Sequence, residues 1–135
     1  MIEPSSIDFV IYHKGCTDGF GAAYAAWKIL GSKATYHAAA YGDSPPNVVG
    51  KSVAIVDFSY KNNVMKKMLK EVKQLIVIDH HKSAMEDLHD IPNTHFDMNH
   101  SGARLSWNFF HPGKSPPKFI NYIEDQDLWK WELPN

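Results

Sequence analysis

Three short apolar runs, each followed directly by histidine or aspartate, constrain the fold of this chain more than any other feature. The runs are residues 9–12, 53–56 and 75–78. Because their apolar residues are continuous rather than alternating, they predict strands that are buried on both faces of a sheet. A weaker run at residues 34–40 is a fourth strand candidate.

Helical patterns separate these strands. In chain order, helices are expected at residues 21–30, 62–73, 84–89, 101–110 and 119–131. The first is alanine-rich and stops at Gly31, a residue typical of helix ends, and the last is expected to pack Trp129 and Trp131. Alternating strands and helices predict an α/β, Rossmann-like three-layer domain with a mostly parallel sheet of four to five strands flanked by helices.

Length and composition exclude several classes of protein. The 135 residues suit one domain, and a 44% hydrophobic content with a net charge of -1 argues against disorder. No apolar run approaches the roughly 18 residues of a membrane span, and no signal-peptide pattern is seen, so we expect a soluble, cytoplasmic protein without a membrane partner. One cysteine excludes a disulfide framework. With 14 basic and 15 acidic side chains, we expect no binding of long duplex nucleic acid.

Polar residues stand where each buried strand ends. They are His13, Cys16 and Asp18 after the first run, Asp57 after the second, and Asp79, His80 and His81 after the third. Because the ligand crevice of an open α/β sheet lies outside the carboxyl ends of its strands, these side chains are expected to share one rim. Each has an ordinary explanation alone, such as a turn or a helix cap, but their joint occurrence favours a metal or phosphate site. The histidines without such placement, His37, His89, His95 and His111, are predicted to be surface or loop residues.

The chemistry of this set indicates which ions it would bind. Carboxylate and imidazole ligands favour a hard or borderline divalent ion such as Mn²⁺ or Mg²⁺ over structural zinc. Because the set exceeds what one ion needs, two ions are expected, with Asp57 on the central strand as the natural bridging ligand. Two such ions would attract phosphate without a basic protein surface.

These residues resemble the motifs of the DHH phosphoesterase superfamily. The matching stretches are YHKGCTDG at residues 12–19, VD at 56–57 and DHH at 79–81. That superfamily includes single-strand exonucleases, phosphodiesterases of short oligoribonucleotides and cyclic dinucleotides, and family II inorganic pyrophosphatases. The resemblance covers nearly the whole chain. It implies that residues 1–135 form a single DHH-type catalytic domain, in which two Mn²⁺ or Mg²⁺ ions activate a water against a phosphoester or phosphoanhydride.

Carried over residue by residue, the resemblance implies a role for each site residue. The implied metal ligands are His13 for the first ion, Asp18 and His80 for the second, Asp57 between them, and Asp125, with Asp127 in reserve because spacing alone does not choose. The implied catalytic residues are His81, which would touch the substrate phosphate, and Asp79, which would lie behind the histidines and fix their ring orientation.

The helix expected at residues 101–110 adds a prediction about substrate phosphate. The amides of Ser101 and Gly102 could bind a phosphate group, with Arg104 or Lys82 adding positive charge. A plain capping role fits the serine equally well. The Ser-Gly-Ala stretch that opens this helix also resembles a recurring element of the superfamily.

Two features depart from the pattern of the superfamily. Cys16 stands where the first motif usually carries an aspartate, so the first ion could bind weakly, be a softer metal or be absent. Alternatively, Cys16 is a small packed residue, and other oxygens complete the shell. The C-terminal substrate-binding domain of the superfamily has no counterpart, which implies a fragment or a catalytic domain that borrows a wall from a partner, such as a second copy in a homodimer.

The leading expectation is a metal-dependent phosphodiesterase that acts on a small phosphorylated substrate, a nucleotide or short oligonucleotide. One alternative is a non-catalytic or weakly active nucleotide- or metal-binding domain, in which Cys16 marks a decayed site. Inorganic pyrophosphatase is a third option, for which the sequence offers little in either direction.

Overall fold

A single parallel sheet forms the centre of the molecule. The structure, a computed structural model, describes residues 2–132, and side chains for residues 2–127. Its strands are β1 (Phe9–His13), β2 (Thr35–Ala39), β3 (Ser52–Val56), β4 (Gln74–Asp79) and β5 (Thr94–Phe96). They lie in the order β2-β1-β3-β4-β5, and every neighbouring pair is parallel. The predicted α/β class with four to five mostly parallel strands is confirmed.

Five helices connect and cover the strands. They are α1 (Thr17–Leu30), α2 (Asn62–Glu71), α3 (Lys82–Asp87), α4 (Gly102–Phe110) and α5 (Lys118–Glu132), with short 3-10 turns at Pro4–Ser6 and Gly31–Lys33. All five predicted helices are present, but α1 begins at Thr17 rather than at residue 21. None of the helices in the described part of the chain has the length and apolar character needed to cross a membrane.

Alternate side chains of the central strands enter two separate cores, which explains why their apolar runs are continuous. On one face, Phe9, Ile11, Val53, Ile55, Leu75 and Val77 pack with Met65 and Met68 of α2 and with Leu88. On the other face, Val10, Ala54, Val56, Ile76 and Ile78 pack with Ala22, Ala26 and Leu30 of α1 and with Phe110 of α4. Helices on both faces thus bury the sheet, as expected for a parallel arrangement.

A third cluster attaches α5 to the rest of the domain. Ile120 and Ile123 of α5 pack against Ala25 of α1 and against Ala103 and Trp107 of α4. The helix therefore lies outside the α1–α4 layer and is held by that layer. The predicted packing of Trp129 and Trp131 concerns side chains outside the described residues.

Two expectations from the sequence need correction. Strand β5 was not expected, because it has only three residues, two of them polar, and lies at the edge of the sheet. His111 was expected to be a surface or loop residue; it follows α4 in a loop, but it is buried, and its ring stacks on Trp107 at 3.8 Å between centroids. Its Nε2 lies 2.8 Å from the carbonyl oxygen of Ala25, to which it donates because a carbonyl can only accept.

Replacing His111 by alanine is expected to lower the free energy of unfolding by roughly 2–4 kcal/mol, since it removes a buried ring and a hydrogen bond. The control is His95→Ala, because His95 is exposed on β5 and its loss should leave stability unchanged. Urea denaturation followed by circular dichroism measures both variants. Equal unfolding midpoints for the two would contradict the structural role of His111.

Candidate metal centre

The carboxyl ends of β1, β3 and β4 place the predicted polar residues at one rim. His13 is the last residue of β1, Asp57 follows β3, and His80 follows β4. The His13 Nδ1 atom lies 4.0 Å from Asp57 Oδ2, and the His80 Nε2 atom lies 2.9 Å from Asp57 Oδ1. The rim lies where α1 leaves the sheet toward one face and α2 toward the other, which is the usual ligand position in such sheets.

Asp57 occupies an unusual backbone conformation at the centre of this rim. Its φ angle is 54°, in the left-handed region that non-glycine residues seldom adopt, and its side chain is buried. The Asp57 amide donates to the Ile78 carbonyl at 2.8 Å, which continues the pairing of β3 with β4 by one residue. A Cβ on Gly102 would overlap the Asp57 carboxylate, so the glycine lets α4 begin directly against it.

The two carboxylate oxygens of Asp57 face different partners. Oδ1 faces His80, whereas Oδ2 lies 4.0 Å from His13 Nδ1 and 3.8 Å from Cys16 Sγ. Asp57 is therefore placed between two groups of donors, the geometry that a bridging ligand requires. Burial raises the pKa of the Cys16 thiol, so in this environment Cys16 is a neutral hydrogen-bond donor to Asp57.

His80 joins the carboxylates on the Oδ1 side. Its Nε2 lies 3.1 Å from Asp18 Oδ2, and its Nδ1 lies 3.7 Å from Asp127 Oδ2. Burial lowers the pKa of His80, but hydrogen bonds with Asp18 and Asp57 outweigh that effect and raise it to about 11. Burial, with the adjacent Asp18 charge, raises the pKa of Asp57, against the His80 hydrogen bond. The cluster is thus a buried set of acids that attracts positive charge.

Asp18 also binds the amino-terminal end of α4. Its Oδ2 accepts from the Gly102 amide at 2.9 Å and its Oδ1 accepts from the Ala103 amide at 2.8 Å. The Ser101 amide donates instead to Glu124 Oε2 at 3.0 Å, and the Ser101 hydroxyl caps α4 by accepting from the Arg104 amide. The predicted phosphate contacts of Ser101 and Gly102 therefore need correction, because carboxylates of the chain already accept these N–H groups.

Arg104 binds side chains of α4 and α5. Arg104 donates to the side-chain oxygens of Asn108 and Asn121, and its Nη1 lies 4.0 Å from Glu124. These contacts direct Arg104 toward α5. Its binding of substrate phosphate stays a prediction. Lys82 is exposed at the start of α3.

Asp79 is fully buried beneath the rim. Its Oδ1 accepts from the His80 amide at 2.8 Å and pairs with His81 Nδ1 at 2.7 Å, while its Oδ2 accepts from the Ser59 hydroxyl at 2.8 Å. The hydrogen bond to Asp79 raises the pKa of His81. Asp79 thus fixes one histidine ring, that of His81, rather than both rings as predicted.

The structure separates the two candidate aspartates of α5. Ile120, Ile123, Glu124 and Asp127 recur at helical spacing and share the inward face, whereas Asp125 is exposed. Asp127 approaches His80, and Glu124 binds the Ser101 amide. Asp125, the first choice from the sequence, therefore lies away from the cluster, and the reserve candidate Asp127 lies beside His80.

The donors fit a divalent cation by chemistry and spacing. Among the described residues they form three overlapping groups, each with ligand atoms within 4.8 Å of one another, which are Asp57–Asp79–His80–His81, His13–Cys16–Asp57 and Asp18–His80–Asp127. Two atoms at about 2.1 Å from one ion and at a right angle are about 3.0 Å apart. The distances from His80 Nε2 to Asp57 and Asp18, 2.9 and 3.1 Å, match that value.

Three residues beside the site were not singled out from the sequence. The Ser59 hydroxyl binds Asp79, and Glu124 accepts from the Ser101 amide just before α4. The Tyr41 ring lies 5.2 Å from the His13 ring. Helical spacing with Ile123 could have pointed to Glu124. The position of Tyr41 just beyond β2, the neighbour of β1, places it at the same edge of the sheet.

Comparison with known proteins identifies similar chains without an assigned function. No protein-family model matches this chain. An uncharacterized protein of Acanthamoeba polyphaga mimivirus is 32% identical over 152 aligned positions, which cover 99% of this chain and 36% of that protein. The crystal structure of an uncharacterized protein from Helicobacter pylori superposes with a TM-score of 0.73 at 14% identity, covering 93% of this chain and 45% of that one. The chain therefore spans about a third of the first and under half of the second, and the second likeness supports the fold alone.

Gly102→Ala is expected to destabilise the metal-free protein by about 1–3 kcal/mol, because the added methyl group would overlap the Asp57 side chain. An alanine in a helix otherwise stabilises a protein relative to glycine. A loss of stability would therefore indicate the close contact with Asp57. Thermal unfolding in the presence of a chelator measures the effect, with Asn108→Ala, on the exposed side of α4, as the control. A variant more stable than the wild type would contradict the close contact.

Proposed function

We propose that this chain is the metal-binding catalytic domain of a DHH-type phosphoesterase, which hydrolyses a phosphodiester of a nucleotide or short oligonucleotide. The observation that supports the proposal most strongly is the placement of Asp57 between His80 on one side and His13 on the other. These three residues lie in the motifs by which the sequence resembles the DHH superfamily. A cytoplasmic location, where the Cys16 thiol stays reduced, belongs to the same proposal.

Two Mn²⁺ or Mg²⁺ ions are the proposed cofactors. His80, Asp18 and Asp127 would hold one ion, and His13 with Cys16 or water would hold the other. Asp57 would contribute one oxygen to each. When bound, such ions supply Lewis acidity toward phosphoryl oxygens and an activated water for in-line attack.

The chain's own residues would orient the substrate. Asp79 accepts a hydrogen bond at Nδ1 of His81, which leaves Nε2 as the ring nitrogen that can contact a substrate oxygen. The hydrogen bond to Asp79 raises the pKa of His81 in the metal-free chain. When the ring is protonated, its Nε2–H would donate to a phosphate oxygen and stabilise its negative charge. Ser59, by binding the second oxygen of Asp79, keeps that carboxylate in place.

A non-catalytic metal- or nucleotide-binding domain is the second candidate, and Cys16 favours it. A neutral thiol is a weaker ligand for Mn²⁺ or Mg²⁺ than the carboxylate usual at that position. Binding of one ion on the His80 side alone would leave a site with half of the proposed catalytic charge. The chain spans 36% of the mimivirus relative. We therefore propose that the other wall of the substrate cleft comes from outside these residues, either from a further domain or from a second copy of the chain.

Asp127→Asn is expected to weaken Mn²⁺ binding by roughly 10- to 100-fold, because it removes a carboxylate close to His80. Asp125→Asn is the matched control: it makes the same change two residues away, on the exposed side of α5, and should leave affinity unchanged. Isothermal titration calorimetry with Mn²⁺ measures both. Weaker binding in Asp125→Asn, with Asp127→Asn unaffected, would exchange the proposed roles of the two aspartates.

Asp57→Asn is expected to lower Mn²⁺-dependent hydrolysis of bis-p-nitrophenyl phosphate and of a dinucleotide by more than about 100-fold, because both proposed ions lose a ligand. Release of nitrophenol and of nucleoside monophosphate measures the rates, and Asp125→Asn again serves as the control. The proposal fails if the full-length protein turns over no phosphodiester in Mn²⁺.

Cys16→Asp separates the two candidate functions in the same assay. If the wild type is active and Cys16→Asp changes its rate little, the enzyme interpretation holds. If the wild type is inert and Cys16→Asp gains activity, the native protein is the binding domain and Cys16 is the cause of its inactivity.

A further inference from the structure

A cavity of about 630 Å³ opens beside the candidate metal centre, on the side of the sheet that α2 and α3 cover. It shares His81 with the centre, and its aromatic wall consists of Tyr41, Phe58 and Tyr60. The Phe58 ring lies 5.9 Å from the His13 ring, so this wall begins directly at the metal-binding rim. The volume is within the range of small-molecule sites, about 300–1,000 Å³.

The aromatic wall has a free face. The Tyr41 ring stacks on Phe58 at 4.7 Å and 29°, and Phe58 in turn contacts Tyr60 edge to face at 5.0 Å. Phe58 is 1% exposed and belongs to the core, whereas Tyr41 is 56% exposed. A rigid buried ring thus supports an accessible one, which is the arrangement of a stacking platform.

An unsatisfied polar atom lies in the same wall. Tyr60 is 6% exposed, and its hydroxyl has no hydrogen-bond partner among the described residues. Burying a hydroxyl without a partner is unfavourable by about 1–3 kcal/mol. Burial raises the pKa of Tyr60 to about 12, and the nearby Asp43 charge adds to the shift, so the phenol keeps its proton and can donate or accept.

The charges of the cavity indicate which part of a nucleotide it suits. Asp43 and Asp87 line it together with a single lysine, Lys61. Away from His81, these two carboxylates against one ammonium group disfavour a phosphate, and they tolerate a neutral group with hydrogen-bond donors. The phosphate would lie at the His81 end, where the proposed ions supply positive charge.

We propose that this cavity binds the nucleoside part of the substrate, with the base stacked on Tyr41 and a polar group of the nucleoside paired with the Tyr60 hydroxyl. The inference rests on the proposed function for the substrate class and for the position of the phosphate, and it adds where on this chain the base of the nucleotide would bind. Tyr41 and Tyr60 then determine specificity, while the chemistry remains at the rim.

The test measures binding rather than turnover, so that it can fail independently of the proposed hydrolysis. Affinities of the full chain for AMP and for ribose 5-phosphate are compared in Mn²⁺ by calorimetry. Stacking of one base predicts that AMP binds roughly 5- to 150-fold more tightly. Tyr41→Ala should remove this preference and leave ribose 5-phosphate binding unchanged, whereas Tyr41→Phe should retain it. Tyr122→Ala, at another exposed tyrosine, is the control.

Tyr60→Phe provides the second arm. It removes only the hydroxyl, so it should lower AMP affinity several-fold while the unfolding temperature stays equal or rises, since an unpaired buried group is lost. Equal affinities for AMP and ribose 5-phosphate, no AMP binding at millimolar concentration, or a preference that survives Tyr41→Ala would each overturn the inference. Hydrolysis without base preference would refute the cavity assignment alone, and base-dependent binding without hydrolysis would refute the enzyme alone.

Discussion

The buried carboxylate of Asp57 is the constraint on which the site depends. A charge removed from water must be compensated by partners, and Asp57 has one at each oxygen: His80 at Oδ1 and the Cys16 thiol at Oδ2. Its left-handed backbone conformation is held because β3 and β4 continue their pairing through its amide. Strand pairing, helix approach and charge compensation therefore converge on this residue.

Helix α4 extends this compensation beyond the strand ends. Its first N–H groups, which no helix can satisfy internally, are accepted by carboxylates from other elements. Asp18 of α1 accepts two of them, and Glu124 of α5 binds the amide just before the helix. The positive end of the helix dipole thus faces the acidic cluster and reduces the repulsion within it.

Much of this architecture was predictable because its signals are local. Continuous apolar runs indicated β1, β3 and β4, and a polar residue directly after each strand needs only the parallel topology to reach the common rim. His13, Asp57 and His80 were found in this way. Strand β5 was missed because three half-polar residues at an edge have no periodicity to detect.

The remaining errors concern contacts between distant elements. Asp125 and Asp127 are the same residue type on one helix. Only the face of α5 that packs on α1 and α4 distinguishes them. The N–H groups of Ser101 and Gly102 were expected to be open to an anion, and the sequence contains no indication that carboxylates from α1 and α5 accept them. The burial of His111 could not be predicted, because its contact with Ala25 spans 86 positions of the chain.

Helix α5 lies outside the first helical layer, so it could move without disrupting the central sheet. It contributes Asp127 to the cluster of acidic and histidine side chains and Glu124 to the α4 terminus, but its apolar attachment is the small cluster around Ile120 and Ile123. Moving this helix away would withdraw Asp127 from His80 and free the Ser101 amide at the same time. The packing of two isoleucines thus governs both the acidic cluster and the start of α4.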